Sequence, residues 1–404
     1  GSYTIDANGT GTSNYTTFGA ATAALTTSGV SGAVTFNVAS GTYTEQVTLT
    51  AVTGASSANT ITFQGSTTAP SIITYSPTAS ATNWTVRLDG ADYVTLDNLT
   101  ITTGGSLYGR LVNYTDTVTD FNLTNCHLIG ATGSSTSSNY GGLYYSYPGF
   151  AAGNWHINDN VFDSVSYACY VYGANDISAD SLFVEDNVIN ATYYGIYGYY
   201  AKYQKFHDNV VNSLVSGGAR NYAYYPAYEV DIQGNQMNDC SYGIYVYSAL
   251  STTLGYGSMK ATISNNHFEG TYYGIYLAGS GTATTEKWTD VTIENNTIEA
   301  WGSSYNYGIS IRYLNPPSTN RAKVRNNMIS LNTTSTSGTL YGIYPYHCAN
   351  VDLHHNSIAA NGGSLTNSRL FYMNASTSTS YFTPGGLSLK NNIVANLNGG
   401  MVMV

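Results

Sequence analysis

Acidic and basic side chains gather in one stretch of a chain that holds few of either type. The 404 residues include 13 Lys and Arg and 23 Asp and Glu. The stretch contains Glu185, Asp186, Lys202, Lys205, His207, Asp208, Arg220 and Glu229. Carboxylates beside Lys or His bases can perform general acid–base catalysis. A second interpretation also fits, in which Asp186 and Asp208 are turn residues and the bases are solvated loop charges.

Other chemistry-bearing patterns are weaker. Glu229 and Asp231 lie two residues apart on a predicted strand, so they share a face and could serve paired-carboxylate glycosidic chemistry. The pair His354-His355 is typical of a turn rather than of a metal site, and no Cys or His spacing matches a zinc motif. The four cysteines are Cys126, Cys169, Cys240 and Cys348. Their wide separation disfavours disulfides and favours buried thiols that act as small hydrophobic residues.

A short pattern that recurs eleven times between residues 94 and 394 would position these side chains. An alternating apolar strand leads into an Asn or Asp doublet, and another apolar residue follows, as in TIENNTI at 292–298. The first doublet position holds Asn98, Asn125, Asp159, Asp186, Asp208, Gly234, Asn265, Asn295, Asn326, His355 and Asn391. The second position, from the third copy on, holds Asn160, Asn187, Asn209, Asn235, Asn266, Asn296, Asn327, Asn356 and Asn392. Spacings of 22 to 36 residues predict one supersecondary unit per repeat, stable only when the units stack as a solenoid.

The asparagine columns have a structural explanation. A tight turn between parallel strands needs a residue that tolerates a left-handed backbone, and Asn and Asp do so best after Gly. Side-chain amides stacked at the strand spacing can bond to one another and satisfy polar groups that the turn buries. We therefore interpret Asn160 through Asn392 as structural residues and not as ligands.

A later strand in each repeat carries Gly-Ile, as in SYGIYVYS at 241–248. Period-two alternation predicts a core column of Ile196, Ile244, Ile275, Ile309 and Ile343. The column two residues on, also predicted to face the core, holds Val171, Gly198, Pro226, Val246, Leu277, Ile311, Pro345 and Met373. The position between these columns, predicted to face solvent, holds Tyr144, Tyr170, Tyr197, Tyr225, Tyr245, Tyr276, Ser310, Tyr344 and Tyr372. A partial second outward column holds Tyr172, Tyr199, Tyr247, Arg312 and Tyr346.

The outward columns predict a ladder of tyrosine rings along one surface. A phenol ring offers a flat apolar face to the C–H face of a sugar and a hydroxyl to the sugar hydroxyls. Rings repeated at the strand spacing would form a platform for a linear polysaccharide or a partner surface. The alternative is that the tyrosines only stabilise the sheet through contacts with same-face neighbours. The count of 39 Tyr against 11 Phe favours surface use, because a core does not need the hydroxyl.

Composition argues against several classes of protein. A net charge of −10 without a cluster of Lys and Arg argues against a nucleic-acid partner. Hydrophobic residues make up 42% of the chain at periodic positions, which argues against disorder. No apolar run reaches the ~18 residues of a membrane span, so we expect no membrane insertion.

The repeat also predicts the domain organisation. Its continuity predicts one domain over residues 1–404, with an N-terminal cap and entry coils over 1–90 and regular coils over 91–404. We expect this domain to be a fragment of a larger multidomain chain whose export signal lies elsewhere.

The Asn turn, the xNNxI strands and the Gly-Ile strands resemble the pectate-lyase-type right-handed parallel β-helix. The N-terminal segment adds to the resemblance, with a short amphipathic helix over about 17–27, a strand over about 33–38 and the coil start GTYTEQV at 41–47. The segments ITFQGS (61–66) and IITYSP (72–77) follow as strands. The resemblance implies an all-β, single-stranded right-handed parallel β-helix with a short N-terminal capping helix.

The resemblance leaves several functions open, because this fold hosts polysaccharide lyases, hydrolases, esterases, epimerases and adhesins. Our leading expectation is a non-catalytic module, extracellular or at the cell surface, that binds polysaccharide or cell-surface glycan through the tyrosines without a cofactor or metal. The second is a polysaccharide lyase or glycoside hydrolase, in which Ca²⁺ would neutralise the substrate carboxylate. The catalytic residues under this alternative would be Lys205, His207, Arg220 and Glu185. The third is a structural spacer.

The segment GTYTEQV also resembles the entry coil of pectinesterase-like relatives. Those enzymes use two Asp, an Arg and Gln on neighbouring coils. No later strand of this chain places Asp, Asp and Arg on one outward face, so their catalytic residues are not carried over.

Overall fold

Each sequence repeat forms one coil with three strand positions. In one coil the first strand, Trp288–Glu294, precedes the Asn doublet, the second strand, Thr297–Trp301, follows it, and the third strand, Tyr305–Arg312, carries the Gly-Ile pair. Equivalent strands of successive coils pair in parallel. Side chains therefore alternate between an interior shared by the coils and an outer surface.

The computed structural model describes residues 1–131, 136–145, 152–172, 181–224, 226, 228–248, 259–279, 288–302, 305–314, 316–364, 366–373, 386–397 and 401–403. These residues form two compact units, Gly1–Ala201 (unit 1) and Lys202–Val404 (unit 2).

Unit 1 contains parallel strands at all three coil positions. Its first strands are Ser2–Ile5, Val34–Val38, Ile61–Gly65, Val94–Asp97, Asn122–Thr124, Trp155–Asn158 and Ser181–Glu185, with Asn14–Tyr15 paired to the first of them. Its second strands are Gly41–Thr44, Ser71–Tyr75, Thr100–Thr103 and His127–Ile129. Its third strands are Val47–Thr50, Val86–Asp89, Val112–Thr115 and Gly141–Tyr145. The long strands Val161–Tyr172 and Val188–Tyr199 run through both the second and third positions. Val118–Thr119 pairs with Ala152–Gly153, and Ser80–Thr82 forms a 3-10 turn.

The helix Phe18–Ser28 precedes the regular coils of unit 1 and buries one of its faces. Thr17 caps its first turn. The carboxylate of Glu45, from the GTYTEQV segment, accepts hydrogen bonds from the backbone N–H groups of Phe18 at 3.1 Å and Gly19 at 2.9 Å. These contacts satisfy donors that a helix start leaves without an internal partner. The helix predicted over 17–27 is confirmed to within one residue.

Unit 2 repeats the three-strand coil with greater regularity. Its first strands are Tyr203–His207, Glu229–Gln233, Met259–Ser264, Trp288–Glu294, Ala322–Arg325, Val351–His354 and Leu387–Lys390. Its second strands are Val210–Ser213, Gln236–Asn238, His267–Thr271, Thr297–Trp301, Met328–Asn332, Ser357–Asn361 and Ile393–Asn396. Its third strands are Arg220–Tyr224, Tyr242–Tyr247, Tyr273–Ala278, Tyr305–Arg312, Thr339–Tyr346, Arg369–Phe371 and Met401–Met403.

The two positions of the Asn doublet have different roles in the turn. All eleven residues of the first position have positive φ, between 52° and 69°. Asn, Asp and Gly accept this left-handed conformation at the lowest cost, which explains the residue types found there. The second position has no positive φ in any of its nine asparagines. Eight of the nine side chains are buried instead, as for Asn266 at 2% exposure and Asn296 at 1%, and Asn392 is half-buried.

The buried asparagines form a hydrogen-bonded ladder. Asn266 Nδ2 donates to Asn296 Oδ1 at 2.9 Å and to the backbone carbonyl oxygen of Ile232 at 2.9 Å. Asn296 Oδ1 also accepts from the backbone N–H of Asn266 at 3.0 Å. In unit 2 the amide contacts join Asn209, Asn235, Asn266, Asn296, Asn327, Asn356 and Asn392, and in unit 1 they join Asn160 to Asn187. The amides therefore link the turns of neighbouring coils within each unit.

The core of each unit follows the predicted alternation. Ile196 in unit 1 and Ile244, Ile275, Ile309 and Ile343 in unit 2 are all fully buried, which confirms the predicted isoleucine column. The prediction is wrong for Met373, which is 51% exposed. Its third strand, Arg369–Phe371, ends before this residue, so strand alternation no longer directs the side chain inward.

The cysteines are part of this packing. All four are free thiols, and Cys126, Cys169 and Cys240 are buried. Burial raises the pKa of Cys126 and of Cys240 to about 12, so both thiols stay protonated at neutral pH. They therefore act as small apolar side chains.

Candidate functional site

The outward side of the third strands in unit 2 carries three columns of side chains, which we call the unit 2 tyrosine face. Strand register defines a middle column of Tyr222, Tyr245, Tyr276, Ser310 and Tyr344, and Tyr372 stacks on Tyr344. The leading column holds Arg220, Tyr242, Tyr273, Tyr307, Tyr341 and Arg369. The trailing column holds Tyr224, Tyr247, Ala278, Arg312 and Tyr346.

Rings in the leading column stack almost parallel across four coils. The ring centroid of Tyr273 lies 4.6 Å from that of Tyr242 and 4.6 Å from that of Tyr307, with interplanar angles of 12° and 8°. The Tyr307 and Tyr341 rings follow at 4.8 Å and 18°. Stacked aromatic pairs stabilise by about 0.5–1.5 kcal/mol beyond their buried area. The backbone and the neighbouring rings together hold each phenol in place.

Sequence reasoning missed the leading column. Strict alternation would put Tyr273, two residues before Ile275, on the inner side. The structure buries the adjacent residues Gly274 and Ile275 and leaves Tyr273 half-buried on the outer side. The signal was present in the sequence, since a Tyr precedes Gly-Ile in all five regular copies of the strand.

The glycine of the Gly-Ile pair explains this break in alternation. A Cβ atom on Gly274 would lie 2.5 Å from Ile298 Cγ2 and 2.7 Å from the carbonyl oxygen of Gly308. Only a residue without a side chain fits between the second-strand core and the next coil. Two successive positions can then face inward, and the tyrosine before them turns outward.

The strand register also replaces one tyrosine of the predicted ladder with another. Tyr222 lies opposite Tyr245, and its ring centroid is 4.8 Å from that of Tyr245. Tyr222 therefore takes the place that the sequence alignment gave to Tyr225, which lies outside the residues that the structure describes. This irregular copy lacks the Gly-Ile pair on which the other copies are aligned. The sequence alignment therefore placed its outward tyrosine three residues too late in the chain.

Unit 1 carries its own stacked tyrosines, the unit 1 tyrosine face. The Tyr170 ring centroid lies 5.1 Å from that of Tyr144 and 4.5 Å from that of Tyr197, and both pairs are within 20° of parallel. Tyr172 and Tyr199 stack beside them at 4.2 Å and 11°. The guanidinium carbon of Arg110 lies 4.1 Å from the centroid of the Tyr144 ring, which is close enough for a cation–π contact. The predicted first and second outward columns are thus adjacent here.

The tyrosines lie on the outer side of the strands, but they are less exposed than predicted. Tyr197 is 9% exposed and Tyr344 is 8% exposed. Tyr144, Tyr170, Tyr199, Tyr245, Tyr247, Tyr276, Tyr346 and Tyr372 are half-buried. The rings cover one another because neighbouring rings stack face to face and leave little space between them. A ligand would therefore contact the edges and hydroxyls of the rings more than their faces.

Burial on these faces keeps the phenols neutral. It raises the pKa of Tyr170, Tyr245 and Tyr307, and the neighbouring phenols raise the pKa of each further. Each hydroxyl therefore keeps its proton at neutral pH and can both donate and accept a hydrogen bond.

A separate polar cluster lies on the first strands of unit 2. His207 Nε2 is 3.2 Å from Asp231 Oδ2, and Lys260 Nζ is 3.1 Å from Glu229 Oε1. Lys205 pairs with Asp231 in the strand register. Burial alone would raise the pKa of Asp231, but hydrogen bonds from His207 and Gln233 and the charge of Lys205 hold the pKa below its usual value. Asp231 is therefore a carboxylate at neutral pH.

Within unit 2, the predicted catalytic residues lie at two different strand positions of the coil. Lys205 and His207 share the strand Tyr203–His207. Arg220 starts a third strand, where it lies opposite Tyr242 in the leading column of the tyrosine face. Glu185 ends the first strand Ser181–Glu185 of unit 1. In the described part of the chain, no three His, Cys, Asp or Glu side chains converge to hold a metal ion.

Two family models match parts of the chain. The model described as Periplasmic copper-binding protein (NosD) matches residues 109–284, and the model described as Right handed beta helix region matches residues 254–404. The second description agrees with the parallel pairing of all three strand positions. The fold is a right-handed parallel β-helix. No curated protein sequence matches the chain.

Several solved structures resemble the chain at low sequence identity. A GH136 lacto-N-biosidase from Eubacterium ramulus is 12% identical, covers 98% of this chain and 68% of its own, and has a TM-score of 0.50. The A-module of the mannuronan C-5 epimerase AlgE6 from Azotobacter vinelandii is 13% identical and has a TM-score of 0.45. The match covers 97% of this chain and 99% of the epimerase module. PfbA, a surface adhesin of Streptococcus pneumoniae, is 13% identical and has a TM-score of 0.33. The match covers 95% of this chain and 89% of the PfbA chain. At 12% identity, the likeness to the lacto-N-biosidase extends to the fold alone.

Among the described residues, the helices are too short and too polar to cross a membrane.

Proposed function

We propose that this β-helix is a non-catalytic extracellular module that binds polysaccharide or a cell-surface glycan through its tyrosine faces. The observation that carries the proposal is the three-column array of unit 2, in which stacked rings present hydroxyl-bearing edges along successive coils. Tyr and Trp side chains supply contact area at low cost in conformational entropy, and the hydroxyl adds hydrogen bonding to sugars.

Tyrosine and phenylalanine lie on opposite sides of the strands, which supports a binding role for the outward tyrosines. The third strands of unit 2 carry tyrosines on their outer side, whereas Phe206, Phe268 and Phe371 point into the core. Stacking alone would be served equally well by phenylalanine. A hydroxyl adds hydrogen bonding, to neighbouring phenols as between Tyr245 and Tyr276, and to water or a ligand at the ring edge.

The proposal places the module outside the cytoplasm, at the surface of a bacterial cell and within a larger chain. Polysaccharides are the abundant extended polymers of that compartment. The partial match to a family described as periplasmic is in keeping with this location.

Replacement of the middle-column tyrosines tests the proposal. The variant Tyr245→Ser/Tyr276→Ser/Tyr344→Ser should lose binding to insoluble polysaccharides in co-sedimentation and to soluble ones in affinity electrophoresis. The matched control is Tyr203→Ser/Tyr228→Ser, which removes an exposed ring pair, 5.7 Å apart, near the first strands of unit 2. Equal binding by the triple variant and the parent would rule out the tyrosine face as the site, and a parent that binds nothing across a broad glycan panel would favour a structural spacer.

One observation favours a second candidate, polysaccharide lyase or glycoside hydrolase activity at the first strands of unit 2. His207 and Asp231 form a polar pair beside Lys205, and such groups can transfer protons. The ionised state of Asp231 suits a base or a residue that orients His207, and not a general acid. His207→Gln should abolish any release of reducing ends or unsaturated products, and a parent without product release on uronans and neutral polysaccharides rules the activity out.

A further inference from the structure

The middle column of the unit 2 tyrosine face lacks a ring at one coil. Ser310 stands in the register between Tyr276 and Tyr344. The guanidinium of Arg312, from the trailing column, occupies the resulting gap. Its central carbon lies 5.1 Å from the ring centroid of Tyr276 and 5.4 Å from that of Tyr344. A planar cation thus stands where the ladder would otherwise carry a planar phenol.

The surroundings of Arg312 use little of its hydrogen-bonding capacity. A guanidinium carries five N–H donors. In the residues that the structure describes, Arg312 makes one hydrogen bond, from Nε to Ser310 Oγ at 3.2 Å, and no ion pair. The contacts with Tyr276, Tyr344 and Tyr346 are with aromatic rings, which attract the cation without accepting from its N–H groups in the guanidinium plane. The terminal nitrogens keep donors for an external acceptor.

Charge is segregated between the faces of unit 2. The first strands and the residues beside them carry both signs. Ion pairs join these charges, as between Arg321 and Asp352 and between Arg325 and Glu294. The described third strands from Arg220–Tyr224 to Arg369–Phe371 contain no Asp or Glu and three arginines, which are Arg220, Arg312 and Arg369. A face of positive sign in a protein of net charge −10 favours a negatively charged ligand.

We propose that the gap at Ser310 and Arg312 is an anion-binding subsite, and that the ligand of the unit 2 tyrosine face is an acidic polysaccharide. The inference rests on the proposed polysaccharide-binding function and names its ligand class. Arg312 binds a carboxylate or sulfate group of one sugar residue, while the tyrosines on either side contact the neighbouring residues. Arginine suits this place better than lysine, because its planar fork stacks between rings and still binds a planar anion through two N–H groups.

Affinity electrophoresis with three soluble polymers tests the subsite. The polymers are polygalacturonate, the same polymer after its carboxyl groups have been reduced to alcohols, and dextran sulfate. We expect the parent protein to bind an acidic polymer more tightly than the reduced one. Arg312→Gln should weaken binding to the acidic polymer by about tenfold, the effect of losing one charge-assisted contact, and should weaken binding to the reduced polymer much less. Preference for polygalacturonate identifies a carboxylate ligand, and preference for dextran sulfate identifies a sulfate ligand.

Three further variants and a folding check separate the subsite from a general charge effect and from misfolding. Arg325→Gln removes the same charge from the first strands and should bind like the parent. Ser310→Tyr restores a ring in the gap and should weaken acidic binding as Arg312→Gln does. Circular dichroism and thermal melting show whether each variant is folded, and Arg312→Lys, which keeps the charge but not the fork, should retain only part of the acidic preference.

The possible failures are distinguishable. If the parent binds acidic and reduced polymers equally and Arg312→Gln changes neither, the subsite is ruled out while the tyrosine face remains a glycan site. If Arg312→Gln weakens binding to both polymers equally, Arg312 stabilises the packing of the tyrosine face and does not bind an anion. If the parent binds no polymer, the proposed function fails and the subsite with it.

Discussion

The phenol rings of Tyr245 and Tyr276 lie 4.4 Å apart and within 3° of parallel. Their backbones are direct partners on adjacent parallel strands. The ring separation is close to the ~4.8 Å spacing of strands, so the backbone register imposes the stacking. Rings held in this way have little rotamer freedom left to lose when a ligand binds. The same contact that stabilises the sheet would therefore preorganise the face for the proposed glycan binding.

Core and face residues of one strand should respond differently to truncation. Ile275→Ala should lower the free energy of unfolding by about 2–5 kcal/mol, because it opens a cavity in a closed interior. Tyr276→Ser should lower it by about 1–2 kcal/mol, because the half-buried ring loses stacking but leaves no cavity. Urea unfolding followed by circular dichroism measures both values. Equal losses would contradict the assignment of the two side chains to opposite sides of the strand.

The asparagine ladder should be a stabilising network. Asn266→Ala should lower the free energy of unfolding by about 1–3 kcal/mol, because it leaves buried hydrogen-bonding groups of the neighbouring coils without partners. Asn265→Gly is the matched control, since the adjacent residue is exposed and has a φ of 57° that Gly adopts freely. The control should change stability by less than about 0.5 kcal/mol. Parent-like unfolding of Asn266→Ala would show that the amide contacts contribute little.

Stability should fall at high pH. Burial raises the pKa of Tyr170, Tyr245 and Tyr307 above the value near ~10 of an unfolded tyrosine. The folded state therefore binds more protons than the unfolded state once the pH exceeds ~10, and the free energy of unfolding decreases with further rise in pH. Below that pH the contribution is fully present. Phenolate absorbance and urea unfolding at a series of pH values measure both effects, and Tyr245→Phe should reduce the pH dependence. Titration of all phenols near ~10 without loss of stability would disprove this account.

The prediction of one domain over residues 1–404 leads to a calorimetric test. A solenoid whose coils all share one continuous interior should unfold in one main transition. Differential scanning calorimetry of the full chain measures the number of transitions, and the mutation Ile275→Ala in unit 2 should shift all of the heat absorption to lower temperature. Two transitions, of which the mutation shifts only one, would mean that units 1 and 2 unfold independently and that the chain has two domains.

The turn and the core could be predicted from the sequence because they depend on local requirements. A left-handed φ restricts the first doublet position to Asn, Asp, Gly or, once, His355. A buried amide fixes the second position as Asn, and a closed interior requires an apolar side chain at Ile275 and its equivalents. Each requirement acts within a few residues and recurs in every coil, so it is visible as a pattern. The helix Phe18–Ser28 was expected from the amphipathic N-terminal segment that adds to the family resemblance.

The composition of the tyrosine face required the tertiary structure. Neighbours across a column are about thirty residues apart in the chain, and the loops between them differ in length, so the sequence does not fix which residues align. Tyr222 rather than Tyr225 faces Tyr245 for this reason. The close approach of coils at Gly274 breaks the alternation that would have placed Tyr273 inside. The position of Arg312 between two rings depends on side-chain packing across three coils, and only the folded stack decides that arrangement.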